Sequence, residues 1–148
     1  MKINFTKKQF DTLLKMAYIS NWIVNAARTG REGDEYITEY VDLKDYIFSF
    51  AKEFGLEKYI DEDDGKLFPT RELEEGEAHE FIDNYEEDVF WNEISDRLAR
   101  RDFFRKYGEE KISQMEIGER IEKTYPFLEK YGDEIEQHGI ERLEIQER

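Results

Sequence analysis

A long apolar stretch near the N-terminus constrains the fold of this chain more than any other feature. Thr6 is a residue type that caps helices, and Gln9 stands three positions later, where a capping box requires Glu or Gln. Apolar residues then recur as far as about Arg28 and cover more than one face of a helix. We therefore expect a helix from Thr6 to about Arg28, buried at the centre of the fold. Its apolar positions are Phe10, Leu13, Leu14, Ala17, Ile19, Trp22, Ile23, Ala26 and Ala27.

Capping residues and glycines divide the rest of the chain into further predicted helices. The side chains of Asp, Asn, Ser and Thr favour helix starts, and proline is favoured in the first turn. Glycine favours helix ends because it adopts left-handed backbone angles without strain. The predicted starts are Asp42, Thr70 after Pro69, Asn84, Ser113 and Pro126, and the predicted ends are Gly55, Asp83, Gly108, Gly132 and Gly139.

Short β-strands are predicted at up to four places, one of which, residues 36–41, is either a brief strand or the lead-in to the second helix. Asp64-Gly65 stands between two short apolar stretches, which is a sequence signal for a β-hairpin near residues 58–68. Residues 2–5 and 140–145 are candidates for terminal strands that pair with each other. No segment rich in Pro, Gly or Ser separates two domains. The expected fold is mainly α: a single-domain, helical bundle-like fold over residues 1–148 with a minor β element, formed by the terminal strands, the hairpin or both.

Three absences in the sequence indicate the compartment. The chain has no cysteine, which excludes disulfides and thiolate chemistry and fits a reducing environment. No apolar run approaches the ~18 residues that a membrane span needs, and the first residues lack the apolar core of a signal peptide. We expect a cytoplasmic protein that does not associate with membranes.

The negative charge of the chain is concentrated in one segment. Residues 53–96, the acidic segment, contain seventeen acidic and three basic residues, a net charge of −14, whereas the whole chain carries −15. A local field of this size repels nucleic acid and anionic membranes. It favours cations or basic protein surfaces as ligands.

The run Asp61-Glu62-Asp63-Asp64-Gly65, with Glu72 further on, resembles a calcium-binding EF-hand loop at first sight. Counted from Asp61, however, glycine falls at position 5 instead of 6, and Pro69 falls at position 9. A hairpin turn accounts for the same residues without these departures, so we interpret the run as a turn.

Glu75, His79 and Asp83 are a candidate metal site. Residues four apart share one face of a helix, and imidazole with carboxylates can ligate Zn²⁺, Mn²⁺ or Fe²⁺. A single helix rarely completes a coordination shell, and the only other histidine is His138. A solvated acidic helix face accounts for the same three residues. A divalent-metal-binding protein or metal-dependent enzyme, using the carboxylates around His79, is therefore the alternative function.

The sequence contains no recognisable catalytic constellation. The serines lack the context of a nucleophile elbow, and the glycines near Gly30 match neither a phosphate-binding loop nor a dinucleotide fingerprint. The sequence therefore favours a non-enzymatic protein without a cofactor. One basic cluster could bind a phosphate or an acidic partner, but we expect it to balance the adjacent acidic segment within the same molecule. It consists of Arg97, Arg100, Arg101, Arg105 and Lys106.

The leading hypothesis is an acidic interaction module that binds a basic surface on a protein partner. Charge would steer the association and nearby aromatic residues would add affinity. Mimicry of nucleic acid is a special case, in which carboxylates replace phosphates and inhibit a nucleic-acid-binding groove. Acidity that serves solubility alone remains open, as does the oligomeric state. The predicted partner-binding residues are Glu74, Glu75, Glu77, Glu80, Asp83, Glu86, Glu87 and Trp91.

Overall fold

A computed structural model describes residues 2–144 and shows a mainly α-helical protein with a small β-hairpin, as the sequence predicts. A single turn of 3₁₀ helix, Glu57–Tyr59, precedes the hairpin. The elements in chain order are α1 (Lys7–Asn25), α2 (Thr38–Phe48), β1 (Ile60–Asp63), β2 (Lys66–Pro69), α3 (Arg71–Glu74), α4 (Glu77–Tyr107), α5 (Glu109–Ser113) and α6 (Ile117–His138).

The chain divides into two compact units, Met1–Asn84 and Tyr85–Arg148. Helix α4 begins in the first unit and continues into the second. We call them unit 1 and unit 2 and describe each by itself. That the whole chain forms a single domain remains a prediction.

Helix α1 starts with the capping box that the sequence predicts. The backbone N–H of Gln9 donates to Thr6 Oγ1 at 3.3 Å, and the backbone N–H of Thr6 donates to Gln9 Oε1 at 2.9 Å. These two bonds satisfy donors that a helix start otherwise leaves without partners. The helix ends at Asn25, three residues before the predicted Arg28.

The core of unit 1 lies against one side of α1. Leu14 is fully buried in it, whereas Ile23, which we expected to be buried, is 53% exposed. Helix α1 is therefore central to its unit along one face and solvated along another. The buried residues of this core are Phe10, Leu14, Tyr18, Phe48, Ala51, Leu56, Leu73, Ala78 and Ile82.

The predicted hairpin is present, and the predicted terminal strands are not. Strands β1 and β2 pair in antiparallel register, and Asp64 and Gly65 between them have positive φ angles of 47° and 73°. Two such residues in succession are typical of the tight turn that fits the twist of a hairpin. The described residues of the two predicted terminal strands, 2–5 and 140–144, have no strand structure, and Ile145 lies outside the described residues.

Several predicted helix boundaries in unit 1 are wrong. Helix α2 begins four residues before Asp42, so Asp42 lies inside it. Gly55 does take the left-handed conformation, with φ of 62°, but it follows a series of turns after the helix end at Phe48. The acidic helix predicted for residues 70–83 is broken near Gly76 into α3 and α4.

Unit 2 is an antiparallel pair of helices. The rings of Phe103 and Phe127 lie 6.0 Å apart, and nearer the other end Trp91 comes within 3.7 Å of the Cβ position of Gly139. Residue numbers therefore increase along α6 in the direction in which they decrease along α4, so the two helices are antiparallel. The short helix α5 connects the two after a turn at Gly108, where we predicted a helix end.

Four other boundary predictions for residues 84–139 are wrong, and the end at Gly139 is correct. Asn84 does not start a helix, because α4 runs through it for 31 residues in all. Ser113 ends α5 instead of capping the next helix. Pro126 and Gly132 both lie inside α6, which ends at His138 with Gly139 as its C-cap.

No helix among residues 2–144 combines the length and the apolar character that crossing a membrane requires.

Candidate functional site

The predicted partner-binding residues fall on two consecutive helices and on both units. In unit 1, Glu74 is the last residue of α3 and Glu75 follows it directly. Both side chains are exposed. The other predicted residues lie on α4: Glu77, Glu80 and Asp83 in unit 1, and Glu86, Glu87 and Trp91 in unit 2.

The break between α3 and α4 is fixed by close backbone contact at Gly76. A Cβ atom at this position would lie 2.4 Å from the carbonyl oxygen of Glu72, so only glycine fits without movement of the backbone. The carbonyl oxygen of Gly76 then accepts the backbone N–H groups of His79 and Glu80, which begins α4. Glu75 and His79 consequently do not share one helix face, which corrects the spacing argument for the metal site.

His79 is half-buried, and both of its ring nitrogens face polar groups. Its Nδ1 lies 2.9 Å from the hydroxyl of Tyr18 on α1, and its Nε2 lies 3.5 Å from Oδ1 of Asp83. The ring of Trp22 packs edge-on against the imidazole, with centroids 5.9 Å apart. These contacts attach α4 to α1 within unit 1.

Burial raises the pKa of the Tyr18 phenol, and the negative charges of Glu74 and Asp83 raise it further. The charges of these two acidic residues therefore act on a buried phenol of unit 1.

Glu77 also connects α4 to α1, through an ion pair with Lys15. Lys15 Nζ lies 2.8 Å from Glu77 Oε2 and 3.0 Å from Asp11 Oδ2. The hydrogen bond to Glu77 is the main reason why the pKa of Lys15 is raised above its ordinary value. Removing Glu77 would disturb the attachment of α4 to α1 as well as the acidic surface.

Glu74, Glu75 and Glu80 differ from Glu77 and Asp83 in having no such partner. All three are exposed, and no cationic group among residues 2–144 lies within 4.0 Å of their carboxylates. We call these three residues the open acids of unit 1. Their carboxylates keep their capacity to accept hydrogen bonds from a ligand.

In unit 2, the predicted residues combine carboxylates with a pair of aromatic rings. The indole N–H of Trp91 donates to Glu87 one helical turn earlier, and Glu86 is exposed. The rings of Phe90 and Trp91 lie edge-to-face with centroids 4.8 Å apart. Phe90 is exposed and Trp91 is half-buried.

Three of the five residues of the basic cluster pair with carboxylates, and only one of these carboxylates belongs to the acidic segment. Arg97 pairs with Glu93 of that segment at 2.8 Å. Arg101 and Arg105 instead pair with Asp102.

Sequence reasoning missed the residues of α1 that hold the acidic helix. Tyr18 and Lys15 contact His79 and Glu77, which stand about sixty positions later in the chain. Neither residue is among the apolar positions from which α1 is predicted, and no local signal marks such distant partners.

The geometry shows a surface of hydrogen-bond acceptors in the described part of the chain. Among residues 2–144 no group of three or more His, Cys, Asp or Glu side chains is placed to hold a metal ion. Metal binding around His79 stays a prediction, now without the helix spacing that first suggested it.

No protein-family profile, no curated protein and no solved structure matches this chain.

Proposed function

We propose that this chain is a non-enzymatic, cytoplasmic interaction protein whose acidic surface binds a basic surface on a protein partner. The observation that carries the proposal is the set of open acids, Glu74, Glu75 and Glu80, which are exposed and have no cation of the described chain within 4.0 Å. Carboxylates in this state can pair with the Lys and Arg side chains of another protein without giving up an ion pair of their own.

Exposed aromatic residues supply a second contribution. Phe81, next to Glu80 in unit 1, is 56% exposed, and Tyr85 and Phe90 in unit 2 are exposed as well. Aromatic side chains supply much of the affinity at protein interfaces, whereas charges mainly raise the association rate. Nucleic-acid mimicry is one form of this function, with the carboxylates occupying a groove that normally holds phosphates.

The test is affinity capture of partners from native lysate with the wild-type chain and a Glu74→Lys, Glu75→Lys, Glu80→Lys variant. We expect the variant to recover specific partners at least roughly tenfold less well at low salt, because three attractive charges become repulsive. The difference should shrink near 1 M salt, where the Debye length is only ~3 Å. Glu77 and Asp83 are left unchanged because they contact Lys15 and His79.

A Glu122→Lys, Glu129→Lys, Asp133→Lys variant is the matched control. It changes the net charge by the same amount, and its three positions are exposed on α6 in unit 2. Circular dichroism on both variants separates loss of binding from loss of structure, since a lysine at position 80 also opposes the dipole of α4. Equal recovery by both variants would show that the open acids are only a solvated surface. Partners that are lost in EDTA would favour the alternative of a divalent-metal-binding protein.

A further inference from the structure

A second surface, of opposite chemical character, lies in unit 2 between the C-terminal part of α4 and the N-terminal half of α6. It is a groove of about 570 Å³, which we call the α4–α6 groove. Its walls include Arg100 and Phe104 from α4 and Arg120, Ile121, Tyr125 and Leu128 from α6.

The α6 wall of the groove carries exposed apolar side chains. Ile121 and Tyr125 are 65% and 61% exposed, and Ile117, one turn before them, is 78% exposed. The three residues are spaced four apart on α6, so they form one stripe along the helix. An apolar stripe of this kind is typical of a surface that another helix covers.

The groove also carries two arginines, one from each helix. No carboxylate among the described residues lies within 4.0 Å of Arg100 or Arg120. Three neighbouring arginines, Arg97, Arg101 and Arg105, do pair with carboxylates. The α4 side of the groove is positive as well, because residues 97–108 contain five cationic residues and one acidic residue, whereas residues 117–128 of α6 contain two of each.

We propose that the α4–α6 groove binds an amphipathic helix of a partner protein that carries acidic residues beside its apolar face. The apolar stripe would receive the apolar face, and the two guanidinium groups would pair with carboxylates flanking it. Charge complementarity favours this occupant over a second copy of the chain. A two-fold dimer through the groove would bring the guanidinium groups of both copies into one interface.

The probe is a synthetic helical peptide of roughly 18 residues, with leucines at helical spacing and glutamates on both sides of the leucine face. Fluorescence anisotropy measures its binding to the full chain, and a counterpart peptide with glutamines in place of the glutamates is measured in parallel. We expect saturable binding of the acidic peptide in the micromolar range and at least roughly tenfold weaker binding of the neutral one.

Two double variants locate the site. Arg100→Glu with Arg120→Glu should weaken binding of the acidic peptide at least roughly tenfold. Lys106→Glu with Lys111→Glu makes the same change in net charge and should alter the affinity less than about twofold. Both lysines lie over the ring of Tyr107 and do not line the groove. Ile121→Ser changes an exposed side chain and should weaken binding while the circular dichroism spectrum stays the same.

Three results would overturn the proposal: no saturable binding of the acidic peptide, equal binding of both peptides, or equal weakening by the two double variants. Sedimentation equilibrium tests whether a second copy of the chain occupies the groove instead. A dimer that Ile121→Ser dissociates, and that the acidic peptide does not compete with, would assign the groove to a second copy of the chain.

Discussion

Asp102 shows how single residues connect the helices of unit 2. Its carboxylate accepts hydrogen bonds from Arg101 Nε at 2.9 Å and from the hydroxyl of Tyr131 on α6. Arg101 donates in turn to the same Tyr131 hydroxyl at 3.1 Å. The hydrogen bond from Arg101, followed by that from Tyr131, lowers the pKa of Asp102 from 3.8 to about 2. The charged form of Asp102 therefore favours the folded state.

This pKa shift predicts how Asp102→Asn changes stability with pH. Because the folded pKa is depressed, the contribution of Asp102 is complete above its unfolded pKa of 3.8 and is lost as the pH falls through about 2. Wild type should exceed Asp102→Asn in stability at pH 7, and the difference should decrease between about pH 4 and pH 2. Urea unfolding at a series of pH values measures it.

Glu129→Gln serves as the control for this series. It removes an exposed carboxylate that has no cation of the described chain within 4.0 Å. A stability difference for Asp102→Asn that stays constant down to pH 2 would contradict the assigned role of the carboxylate.

At the scale of elements, the sequence predicts local capping and turn interactions better than it predicts where a helix ends. The box at Thr6 and the hairpin turn at Asp64-Gly65 are correct because their chemistry is local and self-contained. Asn84 and Gly132 were misread as boundaries, since such residues also occur inside helices whose other interactions outweigh their propensity. The break at Gly76 depends on a backbone approach that no sequence pattern reveals.

That the acidic residues are exposed could likewise be predicted from the sequence, because their side chains are charged. Which of them are open acids and which hold the fold could not be predicted. That division depends on Lys15 and Tyr18, which reach α4 only after α1 and α4 have packed within unit 1.

Gly132, inside α6, and Gly76, between α3 and α4, give opposite predictions for substitution by alanine. Gly132→Ala should stabilise the protein by about 0.5–1 kcal/mol, because alanine is the better helix former. A Cβ at position 132 would meet no atom within 4 Å. Gly76→Ala should destabilise by about 1–3 kcal/mol, because its Cβ would clash with a backbone carbonyl. Chemical denaturation of both variants tests the pair, and effects of the same sign would show that one of these backbone environments is misassigned.

At the scale of the whole molecule, the net charge of −15 opposes folding through self-repulsion. Only some of the carboxylates have cationic partners within the described chain, so much of this repulsion acts through solvent. Dissolved salt screens charges of this kind over distances longer than the Debye length.

We therefore predict that the melting temperature rises by several degrees between about 0.01 M and 0.5 M NaCl, as screening reduces the repulsion. The Glu74→Lys, Glu75→Lys, Glu80→Lys variant carries less net charge and should gain less. Differential scanning calorimetry on both proteins gives the comparison. A melting temperature that falls with salt would show that attractive ion pairs outweigh the repulsion.

The continuity of α4 also determines how this gene can be shortened. The division between the two units falls between Asn84 and Tyr85, inside a helix of 31 residues. A reading frame stopped after Asn84 would leave the last four carbonyl groups of the remaining helix without their hydrogen-bond donors. It would also end the helix with Asp83 beside the new terminal carboxylate, where the helix dipole disfavours negative charge. The boundary between the units is thus a poor place to cut the coding sequence.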